Sequence, residues 1–165
     1  MRFPISCLLL LVLVAPAFGQ PSEPHSHGSA VVRIALSGTD VMIAVEIPGA
    51  DLVGFEHPPT QPEQQNKIDD AMGVLEDWSR LVAVSEGNCV QQTGEVNTHG
   101  FEAGDTLGHA HFQVEYALAC TVAPTKIEMA LFASFPGLEQ ADVEIVGPSL
   151  AIDKVLTPSN PIVSW

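Results

Sequence analysis

From Ala30 onward the chain alternates between apolar and polar positions. Ala30, Val32, Ile34 and Leu36 point one way; Val31, Arg33, Ala35 and Ser37 point the other. Beyond Ser37-Gly38-Thr39-Asp40 the alternation resumes, with Val41, Ile43, Val45 and Ile47 set against Met42, Ala44 and Glu46. Successive side chains of a strand face opposite sides of its sheet, so two such runs around a glycine turn predict a β-hairpin. Pro48 and Gly49 end it, and residues 48–61 read as a loop carrying "GFEHPP". The period then changes. Thr60 and Glu63 have capping-box spacing, with Pro62 in the first turn. Ile68, Met72 and Leu75 recur at helical spacing beside Ala71 and Trp78, which predicts an amphipathic helix over 61–78, weakened at Gly73.

Further along, 88–96 reads as a strand, and 97–108 ("NTHGFEAGDTLG") as an exposed glycine-rich loop without periodicity. The clearest strand is 109–120. Its apolar face is Ala110, Phe112, Val114, Tyr116, Leu118 and Cys120; His109, His111, Gln113 and Glu115 lie opposite. Strands are also expected at 126–132, 141–147 and 151–156, with "FPG" as a break. No internal repeat is visible. Many strands, mostly antiparallel, with one main amphipathic helix predict a single α+β domain; a β-sandwich is the alternative.

The N-terminal segment changes the picture of where the domain works. A positive tip (Met1, Arg2), the apolar run "FPISCLLLLVLV" and small residues at 15–19 fit a secretory signal peptide over 1–19. The run is short for a membrane span, so stable membrane insertion is not expected. The domain then covers 20–165, with 20–28 ("QPSEPHSHG") as a flexible arm, in an exported, periplasmic protein. The chain carries 20 acidic and 6 basic residues, a formal charge of −14; loss of Arg2 takes it to −15. Such a surface disfavours nucleic acid and anionic lipid and favours cations. Cys89 and Cys120 remain as an even pair in an oxidising compartment. A disulfide is the simpler reading, and thiolate ligation of zinc the alternative.

The candidate chemistry lies in the histidines. His109 and His111 are two apart on one strand face, about 6.5–7 Å between Cα atoms. Two imidazoles at that spacing can converge on one ion. His25 and His27 repeat the spacing just before the first strand. If the two pairs meet, they offer four nitrogens, the number Zn²⁺ takes in tetrahedral sites. His99, near Glu102 and Asp105, is either a looser ligand or a solvated loop residue. His57 is either a ligand or a hydrogen-bonding group of the loop before the helix. Imidazole donors suit Zn²⁺, and also Cu²⁺ or Ni²⁺. They bind when neutral, so affinity should fall as pH drops through the reference imidazole value of about 6.5. A hydrolase is disfavoured, because neither His-Glu-x-x-His nor Gly-x-Ser-x-Gly occurs.

Four stretches in succession, "HSHGSAVVRIALSG", "DLVGFEHPP", "GHAHFQVEYALAC" and "FPGLEQADVEIVGPSLAIDKVLTPSNP", resemble the ZrgA-type zinc-binding proteins of the Gram-negative periplasm. The resemblance spans nearly all of 25–163. It implies an exported, non-enzymatic protein that binds zinc and supports its acquisition, with a zinc ABC importer as candidate partner. By position, His25, His27, His57 and His109 fall on histidine positions of the family pattern, whereas His111 stands where a carboxylate or short polar residue is expected. The long His/Asp/Glu-rich insert frequent in the family is replaced here by residues 97–108, which points to one structured site rather than a high-capacity buffer. The competing reading is a periplasmic interaction module without metal chemistry.

Overall fold

The computed structural model describes residues 27–105 and 109–165. The proposed signal peptide, most of the arm and His25 lie outside the described residues. The predicted hairpin forms: β1 (Ser29–Ser37) and β2 (Asp40–Pro48) pair antiparallel, with Ile34 opposite Ile43 and Ser37 opposite Asp40. The main sheet has the order β4-β5-β2-β1-β7-β8, with β4 Val90–His99, β5 His111–Ala119, β7 Gln140–Gly147 and β8 Leu150–Leu156. A smaller sheet joins β3 (Val82–Val84), β6 (Lys126–Met129) and β9 (Ile162–Ser164). Pairing is antiparallel except where β1 runs parallel to β7. This is the α+β arrangement that the alternation predicts.

One face of the main sheet is the core. Val32, Ile34, Val45, Ile47, Phe112, Val114, Val143 and Ile145 are all at most 1% exposed. The helix α2 (Pro62–Leu75) buries Ile68, Ala71 and Leu75 in the same cluster, and the small sheet adds Val82, Ile127, Met129 and Val163. The Tyr116 hydroxyl, projecting from β5, donates to the Leu75 carbonyl at the helix end. That bond gives a buried phenol its partner and satisfies one of the carbonyls that a helix terminus leaves unpaired. Burial, with a smaller contribution from the Asp77 charge, pushes the Tyr116 hydroxyl well above its usual value of 10.0.

Several boundaries differ from the sequence reading. The helix stops at Leu75 rather than 78, because the Asp77 side chain accepts from Ser79 N at 3.1 Å and starts a 3₁₀ turn, Trp78–Arg80. At the other end no Thr60–Glu63 box forms. Gln64 Oε1 instead accepts from Thr60 N (2.8 Å) and Thr60 Oγ1 (3.0 Å). The loop at 48–61 contains a short helix, α1 (Gly49–Val53), closed by Gly54 at φ 86°. β4 runs on through His99, into what reads as loop. The strand expected at 126–132 ends at Met129, and α3 (Leu131–Ser134) follows. Cys89 and Cys120 are joined as a disulfide across a sequence separation of 31, which removes the thiolate-zinc alternative. No described helix is long and apolar enough to cross a membrane.

Candidate metal centre at Glu56

The strand expected from His109 begins only at His111. The Ala110 carbonyl is taken by Gly49 N (2.7 Å), the first residue of α1, and not by a sheet neighbour. That bond places His109 beside the segment leaving α1. The approach is close because Gly49 has no side chain. A Cβ there would lie 2.6 Å from Phe101 Cζ, 2.8 Å from Phe55 O and 3.0 Å from Ala110 O. Phe55 meets Phe101 edge to face at 5.8 Å between centroids, and Phe101 leans on Phe112 of β5 at 5.3 Å. This aromatic wedge holds the backbone that carries Glu56.

His27 arrives from the other end of the chain. Gly28, in the left-handed region at φ 80°, donates its N–H to both Asp51 oxygens at 2.9 Å each. Its carbonyl accepts from Glu139 N (2.8 Å) and Gln140 N (3.0 Å). Next along, Ser29 Oγ donates to Asp142 Oδ2 at 2.6 Å. The end of the arm is therefore tied to α1 and β7 immediately before β1 begins.

Glu56 stands between the two imidazoles. Its Oε1 is 3.7 Å from His27 Nδ1 and its Oε2 is 3.7 Å from His109 Nδ1. The carboxylate side chain is 14% exposed, the rings 73% and 78%. A tetrahedral zinc with bonds near 2.05 Å sets neighbouring donors about 3.3 Å apart. Each N···O separation is thus a few tenths of an ångström too long. Among the described residues no three His, Cys, Asp or Glu groups are drawn together closely enough to hold an ion as they stand. Rotation of the two exposed rings toward the largely buried carboxylate would shorten both separations. The donor set of two imidazoles and one carboxylate suits zinc.

The surroundings are acidic. Burial is the main cause that raises the Asp51 carboxyl above its ordinary 3.8. The Gly28 N–H and His27 oppose the rise, while Glu56 and Glu139 add to it. Glu56 and Glu139 thus both repel the Asp51 carboxylate at the corner where His27 enters, and a cation there would relieve that repulsion.

The other described histidines have different neighbours. His57 Nδ1 lies 2.8 Å from the Pro58 carbonyl, and its ring sits 5.1 Å from that of Phe55, which is the structural role weighed from sequence. His109 and His111 have different neighbours: His109 Nδ1 lies 3.7 Å from Glu56 Oε2, outside β5, whereas His111 opens β5. His111 pairs across the sheet with His99, the two rings stacked at 4.8 Å. Glu56 is the residue that sequence reasoning passed over. Its only signal was its place beside His57 in "GFEHPP".

A model of the ZrgA family, described as zinc uptake proteins, matches residues 24–165. The chain belongs to this family. None of the curated proteins compared with it matches. Membership supports a zinc-related role for this ZrgA-family chain, and the family is not a known enzyme family. The match takes in every described residue, so both the Glu56 corner and the β4–β5 end of the sheet belong to the family domain.

Proposed function

We propose that this ZrgA-family chain is a zinc-binding accessory protein of the periplasm that captures Zn²⁺ as cargo at Glu56, between His27 and His109. It supports zinc acquisition by handing the ion to a zinc ABC importer. The observation that carries the reading is a single, largely buried carboxylate with one imidazole 3.7 Å from each oxygen, drawn from residues 27 and 109. His25, two residues before His27, is the candidate for a further nitrogen, and water fills any open position. Exposed rings suit a carrier, since a ligand that swings onto the ion can also swing off it. The acidic corner adds long-range attraction for a dication.

Native mass spectrometry of the purified protein with stoichiometric zinc tests this. The protein retains an ion, and H27A and H109A each lose it under the same competition by a chelator. Retention unchanged in both variants removes the Glu56 corner as the site. An apo protein at every zinc concentration tried would favour the metal-free interaction module instead.

A further inference from the structure

The stacked pair His99 and His111 lies outside the Glu56 corner. The two residues are register partners on neighbouring antiparallel strands, so their side chains rise from the same sheet face. That face is the outer one: His111 and Gln113 alternate with the buried Phe112 and Val114. The ring centroids are 4.8 Å apart with 28° between planes. Two nitrogens binding one tetrahedral ion sit about 3.3 Å apart. Rings stacked at that separation are close enough for one nitrogen of each to approach a shared ion.

Gln113 orients one ring. His99 Nε2 lies 3.1 Å from Gln113 Oε1, an oxygen that only accepts, so Nε2 carries the proton and donates. Nδ1 of His99 is then the nitrogen with the lone pair. This is how metal-site imidazoles are commonly held, with the second nitrogen bonded to an oxygen acceptor. The neighbouring face is acidic. Glu46 is the register partner of Gln113 on β2, and Glu95 faces Glu115 two residue pairs beyond Asn97 and Gln113 on β4 and β5. Like charges set directly opposite disfavour the sheet unless a cation or solvent screens them.

We propose that His99 and His111, with Gln113 as positioning residue, form a second and separate site for a divalent transition-metal ion. The proposal rests on the zinc reading only for the choice of ion; its residues are independent of Glu56. The His109-x-His111 motif then does not chelate one ion. It serves two sites, His109 facing Glu56 and His111 facing His99.

The test is zinc stoichiometry by native mass spectrometry, with imidazole ¹H–¹⁵N correlation spectra of the unaltered protein during the titration. Expected are one more zinc equivalent in the parent than in H99A/H111A, and a change in the His99 and His111 ring resonances that persists in H27A/H109A. Equal stoichiometry in parent and H99A/H111A would overturn the proposal, as would ring resonances of His99 and His111 that zinc leaves in place. A single ion lost in H27A/H109A and kept in H99A/H111A sinks this site and leaves the Glu56 reading standing. The reverse pattern sinks the Glu56 reading and leaves this one.

Discussion

Replacing Glu56 by Gln keeps the shape of the side chain and removes its charge. In the zinc complex that charge would lie within about 4 Å of a dication. Coulomb's law gives about 2 kcal/mol for such a pair at the dielectric of water and about 8 kcal/mol at an effective value of 20. Rings that are 73% and 78% exposed keep water at the site, so the low end applies. A loss of about 2–3 kcal/mol corresponds to roughly 30- to 150-fold weaker zinc binding. The apo protein should respond with the opposite sign. Glu56 raises the Asp51 carboxyl by repulsion, so removing its charge relieves the corner. The assay is a competition titration against a chromophoric chelator, with thermal unfolding in excess chelator run alongside. E56Q should bind zinc more weakly and melt at the same or a higher temperature. Zinc affinity within about threefold of the parent would refute Glu56 as a ligand, and a lower apo melting temperature would show it to be a structural anchor instead.

Four other outcomes follow from the packing. G49A drives a methyl against Phe101 and the Phe55 and Ala110 carbonyls; a destabilisation of about 1–3 kcal/mol in denaturant unfolding, with weaker zinc binding, is expected. Y116F leaves the Leu75 carbonyl without its donor and should cost about 1–2 kcal/mol, a drop of roughly 3–6 °C by calorimetry. C89S/C120S opens a link across a separation of 31 residues and should cost about 3–4 kcal/mol, matched by reducing agent on the parent. For Asp51 the folded-state value is raised, mainly by burial. Its favourable contribution is therefore complete below the ordinary 3.8 and lost as pH rises through the folded value. Unfolding in chelator across acidic pH should show the parent gaining stability relative to D51N as pH falls.

Much of the sheet was legible because strand burial has a period of two residues. Val32, Ile34, Ile43 and Val45 declare their face without help from the rest of the chain. The same holds for the face of α2 that carries Ile68, Ala71 and Leu75. What stayed hidden depended on distant partners. The strand at His109 stops short because Gly49 takes the Ala110 carbonyl, a bond 61 residues apart in sequence. His99 extends β4 because His111 stands beside it in register. Spacing alone left open whether the N-terminal histidines meet those near the long strand; in the fold His27 and His109 each lie 3.7 Å from an oxygen of Glu56. Glu56 had no periodicity to mark it, and the more conspicuous His57 beside it turns to a carbonyl instead.

The parallel pairing of β1 with β7 joins the start of the domain to residues 140–146, and Gly28 reaches the same stretch through its carbonyl. The position of His27 is therefore set through Gly28 by two segments far apart in sequence, Asp51 of α1 and the entry to β7 at Glu139 and Gln140. A chain cut off just before residue 140 would carry His27, Glu56 and His109 and keep the Asp51 and β2 contacts, but lose the β7 half of the anchorage beside His27. If Glu56 is the proposed zinc site, such a shortened chain should hold the ion less tightly than the whole one.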